Sequence, residues 1–156
     1  MYLSVVLIGV TIVLALMYYD IRYYRLPNLL TATFAFVGLL HTQLVAPEEI
    51  VTHLLAGLIG FASFTLISLF YRRFRKREGL GMGDAKFFAG IGLWLGGYSL
   101  APVILVASMS ALIVVLSLGI THKPVHRQSR VPFGFFLGIG FVIVFYLDHS
   151  TSLDLV

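Results

Sequence analysis

The chain has 156 residues, of which 59% are hydrophobic and 12% charged, and its mean hydropathy is +0.96. A soluble domain carries about 25% charged residues, so this composition cannot cover a globule with polar surface, and a soluble fold is excluded. The absence of cysteine excludes disulfides, thiolate zinc sites and a cysteine nucleophile, and the net charge of +4 takes its meaning from where the charges stand.

A membrane crossing takes about 20 apolar residues, which allows this length about six helices and little outside the bilayer. The first apolar run, Tyr2 to Tyr19, has no Lys or Arg before it and no small-residue cleavage site after it. A secretory signal needs a basic start, so this run reads as a retained helix. Five runs follow: Leu29–Val45, Ile50–Tyr71, Phe87–Tyr98, Pro102–Gly119 and Val131–Leu147. Pro27, Pro47, Pro102, Pro124 and Pro132 all fall between runs or at their first residues, where a missing N–H harms a helix least. The fourth run is short: its twelve residues reach only about 18 Å, against a hydrocarbon core of about 30 Å.

Charge placement resolves the fourth run. Lys and Arg gather on the cytoplasmic side of membrane proteins. Arg22 and Arg25 follow run one. Arg72, Arg73, Arg75, Lys76, Arg77 and Lys86 lie between runs three and four, and Lys123, Arg127 and Arg130 between runs five and six. These are all 11 basic residues, and every one stands in an alternate connection. If run four failed to cross, two basic loops would face opposite sides. The expected fold is therefore an all-α integral membrane bundle of six transmembrane helices, a single domain over residues 1–156. Both termini are extracytoplasmic and the cytoplasmic loops are short. The basic stretch Arg72–Arg77 reads as a topological anchor that meets anionic headgroups; it is too short and too close to the membrane for nucleic acid.

Of the seven acids, Glu48, Glu49, Asp148 and Asp154 fall outside in polar surroundings, and Glu78 sits beside the basic run as its solvated partner. Asp20 and Asp84 differ. Asp20 ends an unbroken apolar helix; Asp84 follows Gly79-Leu80-Gly81-Met82-Gly83 and precedes run four on the same side. Singly, each has a structural reading: Asp84 as a helix N-cap, Asp20 as a partner for Arg22 or Arg25. Together they are two carboxylates at one membrane depth, on different helices, where a buried acid is costly and functional. At a separation of about 4 Å and an effective dielectric near 20, their repulsion is about 4 kcal/mol. Such a pair holds one proton between its members near neutral pH, the condition under which one carboxylate draws a proton from water and the other protonates a carbonyl.

At these residues the sequence resembles a known family. Asp20-Ile21-Arg22 with Leu26-Pro27-Asn28 resembles the first catalytic motif of type IV prepilin peptidases. Gly81-Met82-Gly83-Asp84-Ala85-Lys86 resembles their second, the GxGD motif, and Val131-Pro132-Phe133-Gly134 their third recurring segment. The resemblance implies a membrane-embedded aspartic endopeptidase of the cell inner membrane that removes the short basic leader from pilin-like precursors at the cytoplasmic face, without a cofactor or metal. By the same resemblance Asp20 and Asp84 match the catalytic aspartates, and Arg22, Pro27, Asn28, Gly81, Gly83 and Lys86 match supporting positions. Larger members carry a cysteine-rich zinc region linked to N-methylation; a chain without cysteine and with short loops is expected to cleave without methylating, like the compact form associated with tight-adherence pili. The implied partners are a pilin-like precursor with an apolar helix and membrane lipids, with no nucleic acid; sequence leaves the oligomeric state open.

Preflagellin enzymes share this core. Tyr19-Asp20 and Leu80-Gly81-Met82-Gly83-Asp84 also resemble presenilin-like patterns, but those proteins are longer and carry a Pro-Ala-Leu segment that is missing here. Neither a Gly-x-Ser-Gly nor a His-Glu-x-x-His occurs. A proton- or cation-coupled transporter would need ionisable sites in mid-membrane, and no run carries one. His122 and His126 are separated by Pro124, which disfavours the uninterrupted helix their spacing would need as metal ligands. His41, His53 and His149 are expected near the outer face without a cluster. Gly92-x-x-x-Gly96 and Gly134-x-x-x-Gly138 are expected to allow close helix contact.

Overall fold

A computed structural model of the chain describes residues 2–75, 81–120 and 131–153. The described part contains six α-helices and no strand: α1 (Tyr2–Tyr23), α2 (Asn28–Val45), α3 (Ile50–Arg75), α4 (Met82–Leu95), α5 (Leu100–Ile120) and α6 (Phe133–Leu153). The expected roles of Lys76, Arg77, Glu78, Lys123, Arg127, Arg130, Asp154 and the His122–His126 pair fall outside the described residues.

Prolines set the helix starts. Pro27, extended at φ −60° and ψ 131°, is the N-cap of α2. Pro47 opens a short 3-10 turn, Pro47–Glu49, that leads into α3. Pro102 lies in the first turn of α5, where its absent N–H is not missed. Pro132 directly precedes α6. Several expected boundaries move, two of them beside the acids. Helix α1 runs on past Tyr19 to Tyr23, which places Asp20 inside the helix rather than at its end. Helix α4 begins at Met82, five residues before the apolar run. Apolar composition marks where a segment is shielded from water; a helix begins where its backbone first closes a turn, and the two need not coincide.

Helices α1, α2, α3 and α5 are long and apolar enough to cross a membrane; the apolar part of α6, Phe133–Asp148, is shorter. Many large apolar side chains on these helices, among them Leu7, Phe36, Leu58 and Leu105, point outward and are exposed. Such a surface suits lipid rather than water. The protein is accordingly a multi-pass membrane protein.

The short α4 occupies the middle, packed against α2, α3 and α6. Eight of its 14 residues are buried, against five of 18 in α2, which is why it can be apolar all round without reaching lipid length. Phe34 of α2 packs on Phe87 and Trp94 of α4 and on Phe141 of α6, with ring centroids 5.3, 5.6 and 5.2 Å apart. On the other side, a Cβ at Gly92 would lie 2.7 Å from the Ala56 carbonyl carbon and 2.8 Å from the Gly57 nitrogen, so only glycine lets α4 approach α3 this closely. The glycine pairs expected to serve helix contact divide. Gly92 and Gly138 do so, Gly138 against Met17 and Val13, whereas Gly96 is the C-cap of α4 and Gly134 faces two carboxylates.

Candidate active site

Asp20 is 5% exposed although it stands only three residues from the end of α1. A carboxylate so enclosed needs donors. One comes from α6: the Phe135 backbone N–H donates to Asp20 Oδ2 at 2.9 Å. Phe135 is the third residue of α6, and the first N–H groups of a helix have no partner within it, so a helix N-terminus readily receives a carboxylate. Among the described residues Asp20 makes no ion pair with Arg22 or Arg25, both of which are exposed. The pairing considered for it from sequence does not hold it in place.

Asp84 is the third residue of α4 and is half-buried. It is not the N-cap: Gly81 takes that place with φ −69° and ψ 138°, and the Asp84 N–H donates to the Gly81 carbonyl at 3.0 Å. The Asp84 side chain instead turns back toward that end, where the Gly81 backbone N–H donates to its carboxylate.

Gly134 marks where the two acids meet. A Cβ on Gly134 would lie 3.0 Å from Asp20 Oδ2, 3.1 Å from Asp84 Oδ1 and 2.9 Å from Leu26 Cδ1. The two carboxylate oxygens are thus no more than about 6 Å apart, within the range where two ionisable groups act on each other. They approach across a space that exists because residue 134 has no side chain.

The other motif positions divide in two. Lys86 Nζ donates to Asn28 Oδ1 at 2.8 Å, tying the start of α4 to the start of α2. Gly83 faces Leu26, whose Cβ would be 3.0 Å from a Cβ at Gly83. Pro27 and Gly81 cap α2 and α4. Arg22 stands apart, exposed in the last turn of α1. Three contributors had no site role assigned from sequence, although the first two stand in the quoted motif segments: Leu26, buried between Gly83 and Gly134; Gly134 itself; and the Phe135 amide. For the last two the signal was present, since Pro132 and Gly134 flank a helix start, but nothing local says which side chain that start faces. A cleft of 430 Å³ is lined by Tyr19, Tyr23, Arg25, Leu26, Pro27 and Asn28. Leu26 is shared by cleft and acid pair. Among the described residues, no three metal-ligating side chains gather in one place.

A multi-pass helical membrane protein with two carboxylates converging at the ends of three helices defines a class, and comparison with known proteins narrows it. Residues 7–116 match the model of the type IV leader peptidase family. The chain is 35% identical over 128 residues to Leader peptidase HopD of Escherichia coli, a match that covers 80% of the chain and 81% of that protein. It is 34% identical over 145 residues to a Prepilin leader peptidase/N-methyltransferase of Legionella pneumophila, and 29% identical over 133 residues to one of Xanthomonas campestris pv. campestris. Those two matches cover 91% and 84% of the chain but 50% and 45% of the relatives, so the chain spans about half the length of these larger proteins. No solved structure matches it. The chain belongs to the type IV leader peptidase family, a family of proteases.

Proposed function

We propose that this chain is a membrane-embedded aspartic endopeptidase that cleaves the basic leader from type IV pilin-like precursors, with Asp20 and Asp84 as its catalytic pair. In this reading all six helices cross the inner membrane as one domain, with both termini outside and the acid pair at the cytoplasmic face. The clustering of all 11 basic residues in alternate connections supports that orientation. The observation that carries the chemistry is the convergence of Asp20 Oδ2 and Asp84 Oδ1 on Gly134.

The reaction needs one proton shared by the pair. The ionised carboxylate takes a proton from water as the water oxygen bonds to the scissile carbonyl carbon. The protonated carboxyl gives its proton to the carbonyl oxygen. The tetrahedral intermediate then collapses: the C–N bond breaks as the proton taken from water passes to the leaving amine, and a hydroxyl proton returns to the other carboxylate, restoring the singly protonated pair. A basic leader stays on the cytoplasmic side while its apolar segment enters the bilayer, which brings the scissile bond to the depth of the pair. The open cleft beside Leu26 suits the chain on one side of the cut. Cleavage without N-methylation is part of this reading and rests on the absence of cysteine from the sequence.

The test is processing of a pilin-like precursor in membranes carrying Asp20→Asn or Asp84→Asn singly. Each variant is expected to abolish cleavage while remaining inserted at normal levels. Cleavage that survives either substitution removes that residue from the pair, and methyl transfer to the new amino terminus by the purified chain would overturn the second half of the reading.

A further inference from the structure

The end of α4 away from the acids carries a second polar cluster, although sequence gave its histidine no partners. The ladder of α4 closes where the Gly96 N–H donates to the Gly92 carbonyl at 2.9 Å. The next carbonyl, that of Leu93, is met by side chains from two other helices. Thr42 Oγ1 of α2 donates to it at 2.9 Å, and His53 Nδ1 of α3 lies 3.0 Å from it. A carbonyl only accepts, so His53 carries a proton on Nδ1; the same nitrogen lies 3.1 Å from Thr42 Oγ1. His53 Nε2 faces Glu49 Oε2 at 3.5 Å. One residue on, Trp94 Nε1 donates to the Phe34 carbonyl of α2 at 3.0 Å, and the Trp94 ring stacks on His41 with centroids 4.8 Å apart.

We propose that Thr42 and His53 are positioning residues that fix the axial register of α4 and thereby set where Asp84 stands relative to Asp20. The inference rests on the peptidase reading above. On its α3 side α4 is approached by small residues, Gly92 lying against Ala56 and Gly57. Faces of that kind allow close contact but interlock weakly along the axis. A hydrogen bond to one carbonyl in a low-dielectric interior is specific to one register. Leu93 and Asp84 belong to the same helix, about 14 Å apart along its axis, so fixing one end fixes the depth of the other. Single interhelical hydrogen bonds contribute little to membrane-protein stability. A positioning role therefore predicts an effect on turnover out of proportion to the effect on folding.

The test uses the full chain in liposomes with a synthetic precursor, a Lys/Arg-rich leader followed by an apolar helix. Thr42→Val keeps shape and removes the donor. It is expected to lower kcat per folded enzyme by about 10- to 100-fold, as misplacement on the order of 1 Å does, with KM unchanged. Its pH profile should narrow, because the two apparent pKa values belong to the coupled pair and draw together as the acids separate. A mere loss of folded protein scales the profile without moving its limbs. At position 53 the conservative pair separates geometry from bulk: His53→Asn places an amide N–H near the site of Nδ1 and should retain activity, whereas His53→Gln places its amide near Nε2 and should lose it. Wild-type kcat and limbs in Thr42→Val, or equal activity of the Asn and Gln variants, overturns the inference. Asp84→Asn run in parallel keeps the two readings apart. If it still cleaves, the peptidase assignment fails; if it is inactive while Thr42→Val behaves as wild type, only the positioning role fails.

Discussion

The two ends of α4 differ in what they ask of their neighbours. At the far end Trp94 is 3% exposed, its indole N–H is paired, and the last turn is received by side chains of α2 and α3. At the acid end the helix begins on a glycine without a side-chain cap, its charged third residue is half-buried, and one exposed tie, Lys86 to Asn28, joins it to α2. One end is packed and satisfied; the other leaves Asp84 half-buried, which under the proposed function lets it meet water and a peptide. A short helix can serve both needs because its rigidity carries position from the packed end to the open one.

Two glycines sharpen this contrast. Gly134→Ala puts a methyl group within 3.0 and 3.1 Å of the two carboxylates. It is expected to cut cleavage by about 100-fold while the melting temperature of the solubilised protein moves little, since the adjacent Leu26 side chain can give. Gly96→Ala should do the reverse. Gly96 sits at φ 73° and ψ −176°, and its Cβ would press on His53 Nε2 at 3.1 Å. The expected cost is about 2 kcal/mol of stability, read by thermal or denaturant unfolding, with a smaller loss of turnover. If Gly134→Ala unfolds the protein and leaves the surviving fraction fully active, the proposed division between the two ends is wrong.

Smaller effects probe the tie at the acid end and the turn beside it. Lys86→Met removes the 2.8 Å bond to Asn28 and should cost about 1 kcal/mol, with Asn28→Ala giving a similar loss and the double variant little more. Additive losses in that cycle would show that the two side chains act separately. The smallest change is a gain: Tyr24 holds φ 50° in the turn after α1, a conformation that asparagine tolerates better. Tyr24→Asn should raise stability by about 0.5–1 kcal/mol, seen as a slightly higher melting temperature.

Much of the site was legible along the chain because its signals are local. Apolar runs placed the helices, alternating basic connections put Asp20 and Asp84 at one end of the bundle, and the glycines before Asp84 marked the start of α4. The glycine-rich stretch also misled, since it made Asp84 look like an N-cap where Gly81 holds that position. His53 looked isolated because its partners, Thr42 and the Leu93 carbonyl, lie on other helices. The helical segments and the reactive residue types were determined by the sequence alone, since composition and turn chemistry act over a few residues. The meeting of Asp20 with the Phe135 amide across 115 positions, the space over Gly134 and the seat of Leu93 were decided only by tertiary packing. Those contacts depend on how helices stack in depth and rotation, which no local pattern encodes.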